Sequence, residues 1–248
     1  MKTVLLCALG VGGATVVGAI LGFIFRRMSH KYSDATLALG AGIMLAASML
    51  GLVIPSLEHG GKYAVLITTL GIFAGALVIN LLDVVVPHLN KFVGVKLTED
   101  DGRGRGVLLF VLAIAIHNFP EGIAAGVGFG SGDTADAILI AGGIALQNIP
   151  EGMVIISPML ASGISPAKTF ICAALTGFVE VVGTFVGYYA VTLSSALLPF
   201  SLALAGGTML YVISDDMIPE THSHGNERIA TYSLLLGFCI MLLFDALF

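Results

Sequence analysis

Long apolar stretches alternate with short polar segments along the whole chain. Eight stretches can be traced, each of about 20 residues or more, and as α-helices they are long enough to cross the ~30 Å hydrocarbon core of a bilayer. The approximate spans are 3–25, 35–57, 63–86, 106–129, 135–160, 167–193, 197–218 and 229–247. The pattern predicts an all-α polytopic membrane protein, in which residues 1–248 form one transmembrane domain of eight helices.

The composition agrees with this prediction and excludes several classes of protein. Only 11% of the 248 residues are charged and 57% are hydrophobic, whereas soluble proteins carry about 25% charged residues, so a soluble enzyme is excluded. The net charge of −5 comes without a basic patch, so the expected surroundings are a lipid bilayer and not nucleic acid. The three cysteines, Cys7, Cys172 and Cys239, lie far apart in apolar runs and form neither a disulfide framework nor a metal site.

The lysines and arginines are distributed unevenly between the two sides of the predicted bundle. Nine of the 11 fall in, or at the border of, the connections that follow spans one, three, five and seven. These connections share one side because each helix crosses the membrane once, and the positive-inside rule makes that side cytoplasmic. We therefore predict that both termini lie outside the cytoplasm and that the longest connection, about 87–105, is a cytoplasmic loop.

Spans four and five carry polar residues near their centres, where a bilayer tolerates few. Each contains one copy of the motif [HQ]-N-x-P-E-G, and the copies lie 30 residues apart. The polar side chains are His117, Asn118 and Glu121 in the first copy and Gln147, Asn148 and Glu151 in the second. Positions i and i+4 share a helix face, so His117 lies over Glu121 and Gln147 lies over Glu151. Because a charged residue at the bilayer centre costs about 2.5–3.5 kcal/mol, both clusters need a compensating partner.

A third carboxylate, Glu180 in span six, is predicted at a similar depth, about 18 Å along the helix from Lys168. Carboxylate, imidazole and amide groups together suit a divalent ion such as Zn²⁺, Mn²⁺ or Fe²⁺, and the absence of sulfur from this set argues against Cu⁺. The negative charge of three carboxylates would be balanced better by two divalent ions, or by one divalent ion together with protons, than by one divalent ion alone. In the alternative interpretation each proline only kinks its helix and each glutamate only makes a structural hydrogen bond. The duplicated motif favours a functional site.

These residues resemble the ZIP (Zrt/Irt-like) family of divalent-metal transporters. The likeness covers nearly the whole chain and is most specific at HNFPEG (117–122), QNIPEG (147–152) and Glu180. Gln147 stands where many members have histidine, which resembles the bacterial GufA-like branch. The resemblance implies a 3+2+3 arrangement, with an inverted repeat that relates spans one to three to spans six to eight. It also implies two adjacent metal sites between helices four and five: His117, Glu121, Gln147 and Glu151 in one, and Asn118, Asn148, Glu180 and the two bridging glutamates in the other.

Seven further residues are weaker candidates for contact with an ion. They are Met44, Glu58, His59, Asp216, Glu220, His222 and His224. Glu58 and His59 end span two on the outer side, where they either capture an incoming ion or are simply solvated. Met44 resembles a family position that lines the outer vestibule, although a methionine in an apolar run is more often part of the core. The four residues at the inner end of span seven suggest an exit or regulatory site.

The resemblance implies a multi-pass importer in the plasma (inner) membrane that moves divalent metal, zinc first, into the cytoplasm. The metal is then a transported substrate, and no prosthetic group is expected. The chain has neither the G-x-x-x-x-G-K-[ST] phosphate loop nor the H-E-x-x-H motif of a metalloprotease, so an enzyme is not predicted. Two alternatives stay open: a broad-specificity importer of manganese, iron or cadmium, and a membrane metal sensor that does not transport. The glycine pairs Gly18/Gly22 and Gly71/Gly75 have helix-packing spacing, which leaves a homodimer open.

Overall fold

A computed structural model describes residues 1–25, 29–92, 115, 118–130, 134–161 and 163–247. Within these residues every regular element is helical. The helices are α1 Lys2–Ile24, α2 His30–His59, α3 Ala64–Phe92, α4 118–130, α5 Thr134–Ala161, α6 Pro166–Leu193, α7 Leu198–Thr221 and α8 Glu227–Asp245. Short 3₁₀ turns, Gly61–Tyr63 and Ser195–Leu197, precede α3 and α7. Seven candidate membrane spans lie in the described residues, one in each helix except α4, and they make the chain a multi-pass membrane protein.

The helices follow the predicted apolar spans except at α3 and α2. Helix α3 ends at Phe92, six residues past the predicted span, so the first residues of the predicted loop at about 87–105 are helical. The other difference is at the start of α2. This helix begins at His30, five residues before the predicted span. Hydropathy misses its first turn because the residues there are polar. Asp34 in this turn is nevertheless buried, and it accepts a hydrogen bond from the Asn226 side chain just before α8. A tertiary contact therefore supports a helical turn that the apolar pattern does not predict.

Helices α2 and α7 each contain a π-helical turn, Met49–Val53 in α2 and Ile213–Met217 in α7. Each turn is followed directly by an Ile-Pro pair, at 54–55 and 218–219. Proline has no amide hydrogen to donate, and its ring crowds the carbonyl group four residues earlier. A π turn accommodates the resulting change in the hydrogen-bond ladder. The two helices thus share one local irregularity and the dipeptide that follows it.

The helices pack in pairs through small residues. Helix α1 packs on α5 and α6, α2 on α8 and α5, and α3 on α7, while α4 lies against α6. A Cβ atom at Gly18 would lie only 2.2 Å from the carbonyl oxygen of Ile149 in α5, so the close approach of these backbones requires glycine. The predicted packing glycines Gly71 and Gly75 contact α7 of the same chain. Both glycine pairs therefore pack helices within one chain.

In four of the packed pairs, the contacts advance in the same direction along both partners. Gly18 lies against Ile149, and Gly22, four residues on, lies against Met153. The equivalent contacts are Gly122–Glu180 and Gly126–Thr184 for α4–α6, Gly71–Ala203 and Gly75–Leu204 for α3–α7, and Asp34–Asn226 and Gly42–Leu234 for α2–α8. Each pair is therefore parallel. This is the relation expected between helices that are an even number of membrane crossings apart.

The main apolar cluster lies between the helices, and its buried residues come from α1 to α7. It includes Met44 of α2, Ile144 of α5 and Met209 of α7. Large apolar side chains also cover the outside of the bundle, among them Phe73 of α3 and Leu243 of α8, which are about two-thirds exposed or more. Such an outer surface suits contact with lipid, so the few buried polar residues need a separate explanation.

Candidate metal centre

Hydrogen-bonded polar side chains from four helices form a row across the interior of the bundle. The row, called the polar chain below, consists of Glu121, Gln147, Asn148, Glu180 and Thr15. The Gln147 amide donates through Nε2 to Glu121 Oε2 and to Asn148 Oδ1, both at 2.5 Å. Asn148 Nδ2 donates to Glu180 Oε2 at 2.8 Å. The Thr15 hydroxyl donates to the two carboxylate oxygens of Glu180, at 3.1 and 3.3 Å. The row therefore connects α4, α5, α6 and α1.

Three members of the polar chain, in α5, α6 and α1, lie near the middle of their helices. Gln147 is the fourteenth residue of α5 and Glu180 the fifteenth of α6, in helices of 28 residues each. Thr15 is the fourteenth residue of α1, which has 23. At the rise of an α-helix, these positions are about 14–21 Å from the helix ends. These three residues are therefore far from both ends of their helices.

The side chains of this region are sealed inside the bundle, and several of their atoms make no hydrogen bond. Asn118, Gln147, Asn148 and Glu180 are 0% exposed, and Glu121 is 1% exposed. Within the described residues, both polar atoms of the Asn118 amide and Oε1 of Gln147 lack a hydrogen-bond partner. Buried amide oxygens without a donor, next to carboxylates, are suitable ligands for a divalent cation. The donor set therefore fits such an ion as substrate.

The glycine that ends each copy of the motif holds its helix close to the polar chain. A Cβ atom at Gly122 would lie 2.2 Å from the backbone oxygen of Glu180, and one at Gly152 would lie 2.2 Å from that of Thr15. Helix α4 thus touches α6 at Glu180, while α5 touches α1 at Thr15. These are the two residues that the hydroxyl–carboxylate hydrogen bond joins. The motif therefore provides the site with polar groups and also with close contact to both neighbouring helices.

The model of the ZIP zinc transporter family matches residues 96–245, which include both motif copies and Glu180. The chain belongs to the ZIP family. It is 40% identical to zinc transporter GufA of Myxococcus xanthus over 251 aligned residues, which cover 97% of each protein. Zinc transporter ZIPB of Bordetella bronchiseptica is 36% identical over 238 residues, covering 94% of this chain and 77% of that protein. Zinc transporter ZupT of Chlorobaculum parvum is 32% identical over 246 residues, covering 93% of this chain and 91% of that protein.

Membership of the ZIP family confirms the resemblance to it and, with GufA so similar, to its GufA-like branch. ZIP proteins are transporters, so the prediction that the chain is not an enzyme is also confirmed. The ZIP zinc transporter description and the apolar helices agree with the predicted transport, zinc and membrane character.

The predicted ZIP site residues differ in how far the structure brings them together. Glu121, Gln147, Asn148 and Glu180 are joined by hydrogen bonds. Asn118 is buried in α4, three residues before Glu121, and Glu151 is half-buried in α5, four residues after Gln147. His117 lies outside the described residues. The sequence therefore predicted most of the polar residues that meet inside the bundle.

Carboxyl groups in the row are separated by amides. Gln147 and Asn148 stand between Glu121 and Glu180, so each carboxyl meets an amide N–H and not the other carboxyl. In the part of the ZIP chain that the structure describes, no three histidine, cysteine, aspartate or glutamate side chains are grouped closely enough to hold a metal. Within these residues, amide groups lie beside both carboxyls and could share in holding an ion.

Thr15 is a member of the polar chain that the motif analysis missed. It belongs to α1, far from both motif copies in sequence, and contacts Glu180 across 165 residues. Like Glu180, it is a polar residue in the middle of an apolar run, which indicates a buried polar contact. The indication is weaker for threonine, because its hydroxyl can also bond to the backbone of its own helix. Val11, one turn earlier in α1, contributes its backbone oxygen as an acceptor for Asn148 Nδ2 at 3.2 Å.

The seven weaker candidates of the sequence analysis lie elsewhere. Met44 is buried in the main apolar cluster, in agreement with a core role. Glu58 and His59 are exposed at the end of α2, and His59 Nδ1 bonds to the backbone oxygen of Pro55 at 2.8 Å. Asp216 and Glu220 are exposed near the end of α7. In the connection after α7, His222 bonds to the Ile218 backbone oxygen and to the Thr231 hydroxyl. His224, in the same connection, pairs with Asp34.

Proposed function

We propose that this ZIP protein imports divalent transition-metal ions, zinc first, through a binuclear site at the middle of the bilayer between α4 and α5. The observation that carries the proposal is the fully buried polar chain, which brings two carboxyl groups and two amides together in an otherwise apolar bundle. Polar and ionisable groups are costly to hold inside a membrane. Where they occur, they mark a site or a path for an ion or a proton. The names of the zinc transporters GufA, ZIPB and ZupT favour zinc as that ion.

The hydrogen bonds divide the polar chain in a way that agrees with two adjacent sites. Gln147 bonds to Glu121, and both belong to the first proposed site with His117 and Glu151. Asn148 bonds to Glu180, and both belong to the second with Asn118 and the two bridging glutamates. An arriving ion would replace the amide N–H groups as the partner of the carboxylates. The amides would then present their oxygens, of which Gln147 Oε1 and Asn118 Oδ1 make no hydrogen bond within the described residues.

The proposed orientation places both termini outside the cytoplasm and makes transport inward across the plasma membrane. The uneven distribution of lysine and arginine supports it through the positive-inside rule. The parallel packing of α1 with α5, α2 with α8 and α3 with α7 supports alternate crossings. The π turns of α2 and α7, each followed by Ile-Pro, support the 3+2+3 arrangement with an inverted repeat, since these helices correspond in it.

Uptake of zinc by purified protein in proteoliposomes tests the proposal. Glu121→Gln and Glu180→Gln remove one charge each but keep the shape of the side chain, and each is expected to lower the initial rate about tenfold or more. Glu227→Gln, at an exposed carboxyl in α8, is the matched control and should transport like the parent chain. Equal rates for the parent chain and both site variants would contradict the site.

Two alternative functions give different results in the same assay. A broad-specificity importer accumulates manganese, iron or cadmium at rates similar to zinc. A metal sensor that does not transport takes up metal only to the stoichiometry of the protein, whereas a transporter accumulates many ions per chain. The donor set is rich in oxygen, with Gln147 in place of a histidine. Manganese and iron favour such ligands, so both should be tested beside zinc.

A further inference from the structure

A second group of ligand-type side chains lies at the opposite end of α2 from His59, outside the polar chain. It combines His30 and Asp34, in the first turns of α2, with His224 from the connection between α7 and α8. His224 Nδ1 lies 3.0 Å from Asp34 Oδ1, and the His30 and His224 rings stack with centroids 4.6 Å apart at an interplanar angle of 25°. Of these three residues only His224 was a candidate from the sequence, because His30 and Asp34 are almost 200 residues away from it.

Asp34 is placed to orient His224 and not to bind an ion itself. Its side chain is 4% exposed, and both of its oxygens already accept hydrogen bonds. Oδ1 faces His224 Nδ1, and Oδ2 accepts from Asn226 Nδ2 at 2.9 Å. Because a carboxylate can only accept, Nδ1 carries the ring hydrogen, and the lone pair is on Nε2, which lies 3.5 Å from the Ser223 hydroxyl oxygen. This is the tautomer that binds a metal, held by the carboxylate–histidine pairing common behind metal-ligating histidines.

His30 supplies a second imidazole, which is stacked on the His224 ring. Its side chain is exposed, and among the described residues it makes no hydrogen bond that would fix its ring. Two imidazole nitrogens on one tetrahedral Zn²⁺ lie about 3.3 Å apart, given Zn–N distances of about 2.0–2.1 Å. With centroids 4.6 Å apart, the two rings would reach this spacing after a rotation of the exposed His30 side chain. The remaining ligand positions stay open to water.

We propose that His30 and His224 form a second, exchangeable binding site for the transition-metal ion, with Asp34 as the residue that positions His224. The inference rests on the proposed function only for the identity of the ion. The site would lie on the side where the positive-inside rule puts the cytoplasm, since it joins the start of α2 to the α7–α8 connection. On that side, the ring nitrogens of His30 and His224 would receive an ion released by the oxygen-rich polar chain. Two protein ligands with open positions suit release more than storage.

Carbethoxylation of histidines, followed residue by residue with mass spectrometry in the purified full chain with and without Zn²⁺, tests the site. Zinc is expected to slow modification of both His30 and His224. His222 is the matched reference in the same connection. Its two ring nitrogens are already engaged by Ile218 and Thr231, so zinc should leave its rate unchanged. Asp34→Asn should require about tenfold more zinc for the same protection of His224.

Three results would overturn the proposal. The first is that zinc leaves the carbethoxylation rates of His30 and His224 unchanged. The second is that His224 responds to zinc in the same way after His30→Ala. The third is that Asp34→Asn lowers thermal stability without changing the protection of His224 by zinc. The last result would make Asp34 a purely structural tie. Repeating the experiment with Glu121→Gln separates the two sites, because protection of the histidine pair should persist when the polar chain is disabled. Protection without any zinc uptake by the parent chain would leave this site standing and refute the proposed function.

Discussion

The Thr15 hydroxyl donates to both carboxylate oxygens of Glu180, at 3.1 and 3.3 Å, and so joins α1 to α6 in the middle of the bundle. A carboxyl group buried in a membrane protein depends on such donors, because neither water nor lipid can replace them. Asn148 supplies the other donor to the same carboxyl at 2.8 Å. Glu180 is therefore held in place by groups from two other helices, and one of them lies outside the repeated motif.

Replacing Thr15 by valine is expected to slow zinc uptake, with a smaller effect on folding. Valine keeps the shape of threonine but removes the hydroxyl, and a lost hydrogen bond to a charged group is worth about 1.5–3 kcal/mol. Initial uptake rates in proteoliposomes, measured beside thermal unfolding in detergent, separate the two effects. Thr15→Ser retains the hydroxyl and should transport nearly normally. A Thr15→Val protein as active as the parent chain would show that Asn148 alone positions Glu180.

The motif glycines should tolerate no side chain. Gly152→Ala would bring its Cβ to 2.2 Å from the Thr15 backbone oxygen and force α5 away from α1. We expect a loss of about 1–3 kcal/mol of stability, seen as a lower unfolding temperature in detergent, with a matching loss of uptake. Gly13→Ala in α1 is the control, because nothing lies within 4 Å of its added Cβ. Equal unfolding temperatures for the two alanine variants would contradict the close packing.

Gln147→His is expected to raise the preference for zinc over manganese. Imidazole is a better ligand than an amide oxygen for zinc, whereas manganese favours oxygen. Uptake of radioactive zinc in competition with increasing manganese measures the preference directly. Asn80→His in α3, where the native amide bonds to the Tyr211 hydroxyl away from the site, is the control. An unchanged competition curve for Gln147→His would argue that this side chain does not contact the ion.

The orientation of the chain can be tested with single cysteines. In a background in which Cys7, Cys172 and Cys239 are replaced by alanine, Glu58→Cys should react with a membrane-impermeant maleimide in intact cells. Ser223→Cys, after α7, should react only once the membrane is permeabilised, because the positive-inside rule places it in the cytoplasm. Both native side chains are exposed, so burial does not protect them from the reagent. The opposite labelling pattern would reverse the proposed topology and the direction of transport.

The helical bundle and most of the polar chain could be predicted from local sequence. Apolar runs marked the helices, and Glu121, Gln147, Asn148 and Glu180 stood out because polar residues are rare in such runs. The start of α2 escaped prediction because its residues are polar, and the partner of Asp34 there, Asn226, comes from a segment far away in the chain. The partners of α1 were also not predictable, since one-dimensional hydropathy carries no information about which helices touch.

The sequence by itself determined that the chain spans a membrane through apolar helices and keeps a few polar side chains at their centres. These properties follow from the free energy of moving each residue from water into hydrocarbon, which is local. The tertiary structure alone decided that Thr15 bonds to Glu180, and that His30 and Asp34 meet His224. These contacts join residues 165 or more positions apart. They depend on how closely the glycine-lined helices approach, which is a property of the packed bundle and not of any one segment.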